Sequence, residues 1–165
     1  TSVPAYLCPA DLREPDGIYW FNGYGYAMTS YLGIADGIIR ETEVRIMDVT
    51  AGLSNTLMVG ERPPGPDRFW GWWAYHTYDS NLWSVGDTRT NPYGDIKGNR
   101  RGRELAEPCP DRSPFGPGSL ENYCDCHHFW SFHRAGGNWL MADGSVKFME
   151  YSAGETVVPE MSHVE

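Results

Sequence analysis

No apolar run in this 165-residue chain approaches the ~18 residues that a membrane-spanning helix needs. A charged-then-apolar secretory leader is also lacking, and the chain begins at Thr1 without Met, which reads as a processed end. Basic residues are scarce: 13 Lys and Arg stand against 22 Asp and Glu, giving a formal charge of -9. Nucleic acid is therefore not an expected partner, because phosphate neutralisation needs a basic surface. The one basic cluster, Arg100, Arg101 and Arg103, sits between glycines and reads as a solvated loop. The sequence has no Gly-rich phosphate loop, no dinucleotide fingerprint and no paired-carboxylate motif. It has no internal repeat.

Glycine, proline and tryptophan are abundant instead: 19 Gly, 12 Pro and seven Trp, with 14% aromatic residues overall. Gly and Pro interrupt regular elements, and aromatics fill small, irregular cores. A helical bundle, a coiled coil and a doubly wound α/β enzyme are excluded on this ground. The expected fold is α+β, mainly β: a small antiparallel sheet with long ordered loops, forming a single domain over 1–165. Tyr24 to Ile34 reads as a short strand or ordered loop. Val44 to Val49 could start a short helix ending near Gly52. Thr56 to Arg62 is a compact apolar strand stopped by Pro63-Pro64, and Arg68 to Tyr75 is a very aromatic strand candidate. The sharpest local signal is Asn138-Trp-Leu-Met-Ala142, Asp143-Gly144, Ser145-Val-Lys-Phe-Met149. It reads as a β-hairpin with a two-residue type I′ turn, Val146 and Phe148 sharing a face with Leu140.

Four cysteines, Cys8, Cys109, Cys124 and Cys126, fit two disulfides in an oxidising, extracellular setting. A bridge within Cys124-Asp-Cys126 is strained, so one of these is expected to pair with Cys109 and the other with Cys8. The alternative is a metal held by Cys109, Cys124, Cys126 and His127 or His128, which would suit a metal-dependent enzyme at 124–133. Ser131, His133 and Asp143 invite a hydrolase triad, but Ser131 lies between Trp130 and Phe132 and lacks a Gly-flanked elbow. His133 and Asp143 read better as a structural pair satisfying buried polar groups. Asp79, Asp87 and Asp95, with Asn81 or Asn91, are hard oxygen donors that could hold Ca²⁺ in a long loop. Trp70, Trp72, Trp73 and Trp83, with Tyr75 and Tyr78, could pack a core or stack on sugars, as in a carbohydrate- or surface-binding module.

Three stretches, in order, carry a family resemblance: Tyr6-Leu-Cys-Pro-Ala-Asp11 with Ser30-Tyr-Leu-Gly33; Ile46 to Pro63; and Phe129 to Phe148, where His133 is followed after nine residues by Asp143-Gly144. Together they resemble a large planctomycete family of prepilin-like proteins whose C-terminal domain has no known function. The resemblance implies a pilin-like or pseudopilin-like extracellular subunit of a filament or cell-surface assembly, with His133, Asp143 and Gly144 as a structural motif. Its partners would be copies of itself or related subunits. Membrane contact would come only through an N-terminal apolar helix that these 165 residues do not contain. Ca²⁺ in a head loop is also implied, and no catalytic residue is expected.

Overall fold

A computed structural model describes residues 1–34, 44–66, 68, 71, 81–82, 113–122, 124–125 and 128–164. Within them, aromatic and β-branched runs between turn formers make short strands. β1 (Ile18–Phe21) and β2 (Tyr24–Ala27) pair antiparallel, leaving Asn22 and Gly23 as the turn. Both turn residues take positive φ, 51° and 80°, the two-residue geometry that Asn-Gly favours. The stretch read as one element over Tyr24 to Ile34 is thus two strands, β2 and β3 (Tyr31–Ile34).

A five-stranded sheet follows, built from β3, β4 (Leu57–Glu61), β5 (Asn81–Leu82), β6 (Gly136–Met141) and β7 (Val146–Glu150) in the order β5-β3-β4-β6-β7. All its pairs are antiparallel except β3 with β5. The expected strand before Pro63-Pro64 is β4, and the prolines end it because they cannot donate to a ladder. A single 3₁₀ turn at Ile46–Asp48 stands where a short helix was expected, and a second follows at Leu53–Asn55. A short helix, α1 (Val157–Met161), follows the sheet. The fold is mainly β with little helix, as composition required. Among the described residues no helix is long and apolar enough to cross a membrane.

The core gathers Leu32 and Ile34 from β3, Leu57 from β4, Trp139 and Met141 from β6, Phe115 and Phe129 from the irregular stretch before β6, and Val158 from α1. Period-two alternation sends Trp139 and Met141 into this core and Asn138 and Leu140 to the other face. Cross-strand register puts Leu140 opposite Val146 and Asn138 opposite Phe148, as the expected hairpin required.

The turn itself differs from expectation. Only Gly144 of the Asp-Gly pair takes positive φ, 84°. Gly144 N–H donates to Met141 O at 3.0 Å, and Met141 N–H donates to Ser145 O at 2.8 Å. This is a three-residue loop ending in a glycine bulge, not a two-residue type I′ turn. Asp143 keeps its side chain for the loop: its Oδ1 accepts from Ser145 N–H at 2.8 Å and Ser145 Oγ–H at 2.6 Å. The Ser145 hydroxyl first, then the Ser145 amide, hold the carboxyl below its ordinary 3.8. A carboxyl lowered in the folded state stabilises it above the unfolded pKa and loses that effect as pH falls through the folded one. Asp143→Ala is therefore expected to be less stable than the parent at pH 7. Urea melts repeated in acid should show the gap narrowing as pH drops below 3.8.

Candidate functional site at the junction of Cys8, Glu61 and His133

The N-terminal segment is laid against the start of β3. After a 3₁₀ turn at Pro4–Tyr6, Tyr6 O accepts from Ser30 N–H at 2.8 Å, and Cys8 N–H donates to Ser30 Oγ at 2.9 Å. These bonds bury the Cys8 side chain. On the neighbouring strand, β4 ends at Glu61, which is paired with Tyr31 and is only 3% exposed. Its carboxylate is held from β6: Asn138 N–H donates to Oε2 at 2.8 Å and Asn138 Nδ2–H to Oε1 at 3.3 Å. Gly137 leaves the room, since a Cβ there would stand 3.1 Å from Glu61 Oε2.

His133 enters from the bend that precedes β6. Its N–H donates to Ser131 Oγ at 3.1 Å. The Tyr151 hydroxyl accepts from Ser131 N–H at 3.2 Å and lies 3.0 Å and 3.1 Å from the carbonyl oxygens of Ser131 and His133. The bend is thereby tied to the residue that follows β7. The imidazole Nε2 comes to 3.6 Å from Glu61 Oε1, with its side chain 42% exposed. The Cys8 sulfur, a Glu61 carboxylate oxygen and a His133 ring nitrogen all lie within 4.8 Å of one another.

Burial pushes the Cys8 thiol up, and the Glu61 and Asp11 carboxylates add to the rise against backbone donors at Ala10 and Asp11. The sulfur is thus a protonated thiol near neutral pH in the absence of a cation. Burial also raises the Tyr31 and Tyr151 phenols, and the Glu61 charge contributes to both. A charged carboxylate out of water requires a partner. Among the described residues, Glu61's only ion-pair partner is the His133 imidazole.

Several sequence-derived assignments change here. Cys8 is a free, buried thiol and not a disulfide half. Its segment is pinned to β3, so its sulfur faces Glu61 and His133 instead of another cysteine. Cys124 is disulfide-bonded, which removes it from the proposed sulfur ligands of a metal at 124–133. Cys109, Cys126 and His127 lie outside the described residues. His128 is buried with Nδ1 3.8 Å from Asp125 Oδ1, and Asp125 also accepts from Ser119 N–H at 2.7 Å. His133 and Asp143 do not form a pair. They flank opposite ends of β6, the first beside Glu61 and the second bonded to Ser145. Ser131 Oγ accepts from the His133 backbone amide, and with the His133 ring beside Glu61 and Asp143 at the other end of β6 the three residues do not assemble a hydrolase triad. The Ca²⁺ donors Asp79, Asp87 and Asp95 and the aromatic candidates Trp70, Trp72, Trp73 and Trp83 lie outside the described residues, except for the backbone of Asn81 in β5.

Glu61 was missed as a site residue because it reads as the polar end of a strand. One signal was available: Cys8, Glu61 and His133 come one each from the three stretches that carry the family resemblance. A sequence-family model described as a protein of unknown function (DUF1559) matches residues 1–156, a span that includes all three. The chain belongs to the DUF1559 family. Membership brings no activity with it, because the family's function is unknown. No curated protein and no solved structure matches the chain.

A second surface feature is apolar. Among the described residues β7 is an edge strand, and its outward Val146 and Phe148 are 65% and 53% exposed. The β1–β2 hairpin exposes Trp20 and Tyr24, and the 3₁₀ turn at Ile46–Asp48 exposes Ile46 and Met47.

Proposed function

We propose that this DUF1559 chain is an extracellular, pilin-like structural subunit that assembles with copies of itself or with related subunits through β7. The observation that carries the reading is the edge strand itself. An edge presents unpaired backbone donors and acceptors, and here it also offers Val146 and Phe148 to solvent. Natural edges that must stay single are blunted by charge, proline or bulges. β7 does carry exposed charges, Lys147 and Glu150, but two large apolar side chains, Val146 and Phe148, stand exposed beside them. The Cys124 disulfide supports an oxidising location. The acidic balance supports partners other than nucleic acid.

The test is sedimentation velocity across a concentration series, with electron microscopy of the concentrated protein. The parent chain is expected to sediment faster as concentration rises and to form ordered assemblies. Val146→Lys places a charge on the exposed edge without touching the core, so its circular dichroism and melting temperature should match the parent. Its association should be weakened about ten-fold or more, the scale of about 1.4 kcal/mol. A parent that stays monomeric throughout, or a V146K chain that assembles equally well, would overturn the reading.

A further inference from the structure

We propose that Cys8, Glu61 and His133 form a three-ligand site for a divalent transition metal of the zinc class, with the remaining coordination position open to solvent beside His133. The donor set is one sulfur, one imidazole nitrogen and one carboxylate oxygen. Hard ions such as Ca²⁺ and Mg²⁺ select oxygen shells, whereas thiolate with imidazole selects zinc-like ions. Three protein ligands with an open fourth position is the pattern of accessible zinc sites, and closed structural sites use four.

Geometry supports it. In a tetrahedral zinc site with bonds of about 2.0–2.3 Å, neighbouring ligand atoms stand roughly 3.3–3.6 Å apart. The three donors here already lie within 4.8 Å of one another, so small side-chain rotations close the shell. Their backbones are fixed independently, Cys8 by Ser30, Glu61 by β4 pairing and His133 by Ser131 and Tyr151. Asn138 gives Glu61 the outer-shell orientation that ligating carboxylates receive in metalloproteins. Access comes from the imidazole side, where His133 is partly exposed.

Charge points the same way. Binding a divalent cation releases the Cys8 thiol proton, together with any proton held by the His133 imidazole, to solvent, with no change of oxidation state. The product joins a thiolate, a carboxylate and a neutral imidazole to a 2+ ion, which leaves the shell neutral. The ion would also link the N-terminal segment, β4 and the bend before β6 through a single atom.

The experiment is a titration of the full chain with Co²⁺, without reductant so that the Cys124 disulfide stays intact, followed by displacement with Zn²⁺. The parent should bind one equivalent with a sulfur-to-cobalt charge-transfer band and tetrahedral visible bands, and Zn²⁺ should bleach them. Cys8→Ser should lose the charge-transfer band. His133→Gln, whose amide can still donate to Glu61, should stay folded without metal at a somewhat lower melting temperature and bind Co²⁺ about ten-fold or more weakly. A parent without the band overturns the site, as does a band that C8S leaves unchanged. Should C8S fail to fold, unchanged affinity in H133Q overturns the site by itself. None of these outcomes depends on whether the chain assembles through β7.

Discussion

Trp139→Ala should lower the unfolding free energy by about 3–5 kcal/mol, the range for truncating a buried aromatic. Trp139 is fully buried in β6, with ring centroids 5.1 Å from Phe115 edge-on and 4.9 Å from Phe129 at a tilt. Across the ladder it faces Gly60, where a Cβ would stand 2.5 Å from the indole. The ring therefore fills the volume that a side chain on β4 would otherwise occupy, and alanine leaves a void between two strands. Domains of this size have total stabilities of about 5–15 kcal/mol, so the variant should be largely unfolded at moderate denaturant where the parent is folded. Trp139→Phe should cost less than alanine, for two reasons. It keeps most of the buried aromatic area. It also removes Nε1–H, a buried donor without a hydrogen-bond partner among the described residues. Urea melts of the three proteins decide it: a phenylalanine variant as weak as the alanine one would contradict this packing account.

Gly154→Ala should be among the most damaging single-methyl additions outside the site. Gly154 lies at φ -63°, ψ -35°, a conformation any residue adopts, so its requirement is space. A Cβ there would land on the carbonyl oxygen of Phe115 and stand 2.7 Å from Ser113 Oγ. Backbone must move, and Phe115 is a core residue in contact with both Trp139 and Tyr151. Overpacking of this kind costs about 1–3 kcal/mol, and the upper end applies where the obstacle is main chain. Gly144→Ala makes the informative contrast. Its Cβ would meet open space, but its φ of 84° strains any L side chain, at about 1 kcal/mol. Thermal melts should rank G154A below G144A, and the reverse order would reject the steric argument.

The legible part of the fold was whatever short-range chemistry decides. Alternating apolar residues around Asp143-Gly144 gave both strands and the facing of Leu140 with Val146, because period two follows from the pleat. The loop type was not legible, since Asp143 gains more from capping Ser145 than from the left-handed region. The Asn22-Gly23 turn was not read from the sequence, although Asn-Gly favours a two-residue hairpin loop, because its flanking strands are only four residues each. The site was half legible. His133 stood out by its spacing from Asp-Gly, yet its partner is Glu61, 72 positions earlier in the chain (133 minus 61). Cys8 was read by parity with three other cysteines, and counting cannot reveal that Ser30 fixes its segment against β3. Long-range register decides both, and register between distant strands is set by the assembled core.

β4 lies between β3 and β6, and this position governs when the sheet can close during synthesis. Its partner on one side is close behind it in the chain, whereas Asn138, which grips Glu61, comes 77 residues later. A ribosome-bound chain that ends before β6 can pair β3 with β4 and close the β1–β2 hairpin, but it exposes the bare edge of β4 together with Leu57. That edge is a temporary template for pairing with other chains, and it is capped only when the final hairpin arrives. The last strand to be made, β7, then inherits the outer position, so synthesis order places the apolar edge at the end of the sheet that is completed last.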